Sequence, residues 1–217
     1  MWILKIASRL SLAATIAMSG LMVCIFFPFT TEALSKLTST GSTFGVSADV
    51  MARAALATRD YALGLIGSEG LKNSLETIGL PSNGLDTLML SHLKDCTPIF
   101  EGVRQLFLIL LVISAILIIL TGIFGRKKGL SNLLLHSSLL AIVVIVAFGM
   151  WVSFSFNSFF TWMHSLFFAS GTWTFAADSL LICMFPQNFW IGMGVVWACV
   201  SIVISLCLIF VSRKLSK

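Results

Sequence analysis

Four stretches of the chain carry no charged side chain and are almost wholly apolar: LSLAATIAMSGLMVCIFFPF at 10–29, LFLILLVISAILIILTGIF at 106–124, LLLHSSLLAIVVIVAFGMWVSFS at 133–155 and IGMGVVWACVSIVISLCLIFV at 191–211. A helix needs about 20 mostly apolar residues to cross roughly 30 Å of hydrocarbon, so each stretch is predicted to be a transmembrane helix. The third has the least defined C-terminal limit. From Gly129 to Ala177 no Asp, Glu, Lys or Arg occurs, about twice the length one span requires. The surplus is an aromatic stretch, FFTWMHSLFFASGTWTF at 159–175.

Between the first two spans the pattern turns amphipathic. SADVMARAALATRDYALGLIG predicts a helix that starts near Ser47 or Asp49 and stops at Gly67. Gly and Pro punctuate GLPSNG at 79–84, LDTLMLSHLKDC predicts a second helix over 85–96, and Pro98 is expected to break it before the next span. On that helix Leu85, Leu88, His92 and Cys96 recur at helical spacing, which puts His92 on the apolar stripe. The expected architecture is an all-α integral membrane protein. Residues 1–29 hold the N-terminal tail and transmembrane helix 1, 30–98 a helical extracellular insertion, and 99–155 transmembrane helices 2 and 3 with an RKK turn. Residues 156–190 form an extracellular aromatic loop with a histidine, and 191–217 transmembrane helix 4 and a cytoplasmic tail. The insertion is too short for a large core of its own and is expected to pack on the outer ends of the spans.

Composition agrees: 58% of residues are hydrophobic, 11% are charged, and mean hydropathy is +1.00. That is far more apolar surface than a soluble domain of this length buries. Charge adds orientation. Lys5 and Arg9 precede the first span, Arg126, Lys127 and Lys128 follow the second, and Arg213, Lys214 and Lys217 follow the fourth, with no acid in those segments. The positive-inside rule places both termini and the RKK turn in the cytoplasm. The net charge of +5 then reflects anchoring on anionic lipid, with no nucleic-acid partner expected. The first span is read as a retained helix, since the nearest small-residue site, around Thr31 to Ala33, is a poor cleavage signal. LMVC at 21–24 is not read as a lipid-attachment site, because valine is bulky before the cysteine.

On this topology His92 and His164 share the outer membrane face, whereas His136 lies near the RKK turn and cannot meet them. A lone histidine among aromatics is more often a packed interfacial residue than a catalyst. Two on apolar faces at one depth shift the balance towards function, because ionisable groups are costly there. Asp95, three residues beyond His92, is spaced to orient its imidazole. Other chemistries fit poorly. His92, Cys96 and His164 offer three metal ligands without a metal-site spacing, so no metal and no cofactor is expected. The five cysteines include no CxxC pair, and Cys96 and Cys183, the two on the outer side, are expected as buried thiols although they could pair. GxSxG is absent, and SHLK at 91–94 has no partner motifs, so Ser91 is not expected as a nucleophile.

SHLKDC at 91–96 and WMHSLFFASGTWTFAADSLLICMFPQNFW at 162–190 resemble the two signature blocks of the lipoprotein intramolecular transacylase (Lit) family of bacterial membrane proteins. The order of spans, insertion and histidine loop resembles that family over the whole chain. Leu93, Cys96 and Met163 depart from the common pattern by apolar exchanges that bear on subfamily and substrate preference. The resemblance implies transfer of the sn-2 acyl chain of a diacylglyceryl lipoprotein to the α-amine of its own N-terminal cysteine. Histidine acid–base catalysis would serve without an acyl-enzyme, at the extracellular face of a bacterial cell membrane. The implied catalytic residues are His92, His164 and Asp95; Trp173, Trp162, Phe167 and Ser91 are the substrate-binding candidates, Trp173 as an indole donor to the oxyanion. The implied partners are diacylglyceryl-modified lipoproteins and membrane lipid. Two rival readings are a non-enzymatic lipid- or lipoprotein-binding membrane module and an outer-face lipid ester hydrolase.

Overall fold

The computed structural model describes residues 2–81 and 84–217, so Ser82 and Asn83 of the expected GLPSNG turn lie outside the described residues. The chain is all-helical: α1 (Trp2–Phe26), α2 (Pro28–Thr38), a 3₁₀ turn (Gly41–Phe44), α3 (Ala48–Ala62), α4 (Ser68–Thr77), α5 (Thr87–Phe124), α6 (Arg126–Phe154), α7 (Phe156–Phe167), α8 (Leu180–Met184) and α9 (Gln187–Leu215). Among the described residues four helices are long and apolar enough to cross a membrane: Leu4–Phe26, Thr87–Phe124, Arg126–Phe154 and Gln187–Leu215. Each overlaps one of the four expected spans.

The helix boundaries differ from expectation in instructive ways. The first span was drawn to residue 29, but α1 ends at Phe26: Phe27 is extended and Pro28, which has no N–H to give, opens α2. Pro98 does not break the helix before the second span; α5 runs through it for 38 residues. Proline removes one intrahelical bond and crowds the carbonyl four residues back, and here both Pro98 and Lys94, whose carbonyl loses its partner, are exposed to solvent. At about 1.5 Å per residue, α5 is about 57 Å long, roughly twice a hydrocarbon core, so its surplus is the end that carries His92. The stretch 47–67 is not one helix. Ser47 caps α3 by accepting the Val50 N–H, but the stop comes at Gly64, in the left-handed conformation at φ 71°, and Gly67 instead starts α4. The expected aromatic loop contains a 12-residue helix, α7.

The Cα framework divides into two compact units. The first comprises 1–23, 103–154 and 195–217, the bundle of apolar helices. Leu12, Ala13 and Ile16 of α1 meet Leu133, Leu134, Ala141 and Ile145 of α6, with Trp197, Ala198 and Ile202 of α9 against them. Small polar residues fasten these helices where lipid offers no hydrophobic gain. Ser114 Oγ lies 2.9 Å from Thr15 Oγ1 and 3.0 Å from Ser11 Oγ. Ser131 and Ser212 donate to each other's carbonyls at 3.0 and 2.8 Å. The Trp197 indole donates to the Ala17 carbonyl at 2.8 Å. Gly20 permits this close approach, since a Cβ there would meet the Trp197 carbonyl oxygen at 2.6 Å.

The second unit comprises 24–102 and 155–194. Its core joins Met51, Ala54 and Ala55 of α3, Leu71 and Leu75 of α4, Met89 and Leu93 of α5, and Leu180, Cys183 and Met184 of α8. Arg59 of α3 ties the last carbonyls of α1 into this unit, donating from Nε to Ile25 at 3.1 Å and from Nη2 to Phe26 at 2.6 Å. Those carbonyls have no intrahelical partner, so a buried guanidinium fork is an effective cap. All nine acidic residues of the chain fall in this unit.

Candidate active site

α5 and α7 each deliver one histidine to the second unit. The helix beginning at Thr87 is started by Asp86, whose Oδ1 accepts the Met89 N–H at 2.8 Å. Its buried stripe is Met89, His92 and Leu93, with Cys96 half-buried and Leu85 buried just before the helix. Leu88, expected on that stripe, is 41% exposed. The facing ridge is rotated by one residue, so that Met89 and Leu93 pack the core and His92 is carried to its edge. α7 follows α6 after one residue, and its Phe160 and His164, four apart, share the inner face.

The two histidines meet. Their ring centroids lie 6.0 Å apart with planes inclined by 24°, and each side chain is nearly buried, His92 at 8% and His164 at 7% exposure. Four rings enclose them. Phe168 lies 4.6 Å from His92 and 5.5 Å from His164. Phe175 lies 5.5 Å from His92. Phe160 and Trp173 lie 3.9 and 4.8 Å from His164.

The hydrogen bonds distinguish the two imidazoles. His164 Nδ1 is 2.9 Å from the Phe160 carbonyl. A carbonyl only accepts, so Nδ1 carries the proton of the neutral ring and Nε2 keeps the lone pair. His92 Nδ1 is buried with no hydrogen-bond partner among the described residues. A buried N–H without a partner is rarer and costlier than a bare acceptor, which favours the lone pair on Nδ1 and the proton on Nε2. Burial lowers His92 from the ordinary imidazole value to about 4; neighbouring His164 adds to the shift and Asp95 opposes it. Burial likewise lowers His164, against its bond to the Phe160 carbonyl. Both rings are therefore neutral at pH 7.

The other expected site residues are dispersed. Trp173 joins the cage, half-buried against His164. Asp95 is exposed and forms no hydrogen bond with His92. Ser91 is exposed, Trp162 is 40% exposed, and Phe167 is 53% exposed with its ring on neither histidine. Phe160, Phe168 and Phe175 were not singled out by the sequence. Phe160 could have been, from its four-residue spacing to His164. Phe168 could not, because α7 ends at Phe167 and an extended C-cap re-aims the next side chain. Cys96 and Cys183 are free thiols, and burial pushes Cys96 up to about 12, which makes it inert. Among the described residues no group of three His, Cys, Asp or Glu could hold a metal ion.

The model of the lipoprotein intramolecular transacylase family matches residues 6–190, a span that includes both histidines and all four cage residues. The chain belongs to that family. It is therefore a membrane-integral acyltransferase that acts on lipoproteins. Its fold is similar to a solved structure of the membrane integral lipoprotein intramolecular transacylase from Bacillus cereus, with a TM-score of 0.79 and 19% identity over 99% of this chain and 94% of that one. A histidine-to-alanine variant of the same Bacillus cereus protein gives a TM-score of 0.76 at 18% identity, covering 99% of this chain and 92% of that one. No curated protein sequence matches the chain. Leu93, Cys96 and Met163, where departures from the family pattern are expected, are one core residue and two half-buried ones, outside the four-ring cage.

Proposed function

We propose that the paired histidines transfer the sn-2 acyl chain of a diacylglyceryl lipoprotein to the α-amine of its N-terminal cysteine, leaving an N-acyl, S-monoacylglyceryl lipoprotein. The observation that carries this reading is the 6.0 Å imidazole pair, both rings buried among four aromatic side chains. Complementary tautomers suit the reaction. His164 Nε2 takes a proton from the attacking amine, the amine nitrogen bonds the ester carbonyl carbon, and the bond from that carbon to the glycerol oxygen breaks. The same proton passes from His164 to the departing glycerol oxygen, so atoms and charge balance with no acyl-enzyme. His92, neutral, donates Nε2–H to the carbonyl oxygen as negative charge builds there.

Neutrality is what the site must supply. An α-amine has a pKa of about 8 and reacts only when deprotonated, so a base already protonated near neutrality would contribute nothing. Nucleophile and ester belong to one molecule, and holding them aligned can account for several kcal/mol of the barrier through effective molarity. The aromatic walls keep water from competing for the ester. Trp173 packs 4.8 Å from His164, and on this reading it steadies the substrate or lends its indole N–H to the oxyanion.

The site faces the outer leaflet on this reading, with both termini in the cytoplasm. Two features support it: the basic segments flanking the spans carry no acid, and every acid of the chain belongs to the unit that holds the histidines.

Mass spectrometry of lipoprotein N-termini from cells with and without the protein tests the reaction. N-acyl, S-monoacylglyceryl peptides that depend on the protein are expected. Free fatty acid with no N-acylation would identify an ester hydrolase, and unchanged lipoproteins a binding module.

A further inference from the structure

We infer that Phe168 is a positioning residue for the transfer, the single ring that flanks both histidines, holding them in register and shielding that side of the pair from water. The inference rests on the two-histidine reading above. Among the described residues Phe168 is the one ring in contact with both imidazoles, 4.6 Å from His92 and 5.5 Å from His164. Phe175 touches only His92 of the pair, and Phe160 and Trp173 touch only His164. These three can each orient one ring; none can fix the distance between the two.

The backbone gives Phe168 this position. Its φ and ψ of −126° and 145° take the chain off α7, while its N–H still bonds the His164 carbonyl at 2.8 Å. The aromatic side chain is thereby coupled to the last turn of α7 and carried across to the histidine of α5. A helical residue at 168 would stack over His164 at four-residue spacing and leave His92 uncovered. Removing the ring would leave a void beside both imidazoles, which they can close by moving together or fill with water. Either outcome spoils alignment, and a misplacement of about 1 Å can cost about 100-fold in rate.

The test compares Phe168→Leu, Phe168→Met and Phe168→Tyr in the purified full chain with a synthetic diacylglyceryl lipopeptide, reading amide product, free fatty acid and the pH profile of kcat. Among the described residues the charged or titratable neighbours that act on His92 are His164 and Asp95, and His164 answers to burial and the Phe160 carbonyl, so a change of limb reports the cage. Leu and Met are expected to lower kcat by about 10- to 100-fold with KM within about threefold. They should also move the acidic limb up towards the ordinary imidazole value and release free fatty acid that the parent does not. Tyr, which keeps the ring, should restore kcat to within about threefold. Parent-like kcat and pH limb in a folded Leu or Met variant would overturn the inference. So would equal losses in all three with an unshifted limb, the mark of a merely structural role. Activity retained in His92→Ala or His164→Ala would instead sink the two-histidine reading itself.

Discussion

His92 and His164 face each other at 6.0 Å, ring to ring, without a hydrogen bond between them. Each ring is bound to the protein on its Nδ1 side or buried there, so the Nε2 atoms are the ones available to a substrate. A base and a hydrogen-bond donor separated in this way suit a reaction in which an amine and an ester carbonyl react side by side.

The acid limb of the reaction follows from burial. His92 titrates at about 4 in the folded chain against about 6.5 unfolded. The unfolded state therefore binds the proton more tightly between these values, so this histidine's stability contribution is complete above pH 6.5 and is lost as pH falls towards 4. Thermal unfolding in detergent should show parent stability falling across that window, and His92→Phe should flatten the fall. A flat parent curve would mean that His92 is not buried neutral.

Asp95 can act on His92 only through space in this structure, since His92 Nδ1 has no partner and Asp95 is exposed. Asp95→Asn is expected to keep turnover within about threefold, as for other exposed charges. A loss of about two to four powers of ten would assign Asp95 an orienting role like that of a buried carboxylate on a catalytic imidazole.

Orientation can be checked with single cysteines in a variant lacking the native ones. Asn73, exposed on α4, and Ser216, exposed past α9, are suitable sites. Asn73→Cys should react with an impermeant thiol reagent added outside intact cells, and Ser216→Cys should be protected until the cells are opened. The reverse pattern would put the histidines on the cytoplasmic side and remove the lipoprotein substrate from reach.

The four spans were legible because a run of apolar residues is a local signal that tertiary contacts do not alter, and TM helices α6 and α9 extend it only by their polar ends. The histidine pair was legible for a related reason: an ionisable residue on an apolar stripe must be explained, and two such residues on one membrane face invite being paired. Pro98 misled because its local penalty is small beside the long apolar run that α5 continues into. α4 was missed, although Leu71 and Leu75 are spaced for one buried face, because Gly67 made the segment read as a helix end. The cage escaped for a different reason. Phe168 is aimed by the C-cap of α7 rather than by helical spacing, so the sequence pointed to its exposed neighbour Phe167.

The most direct test of the central claim is turnover of a diacylglyceryl lipopeptide by His92→Ala, His164→Ala and the double variant, each confirmed to insert and fold. If the imidazoles act as one unit, each single variant loses essentially all N-acylation and the double variant is no worse than either, because the contributions of such a pair do not add. Full activity in either single variant would contradict a two-histidine mechanism.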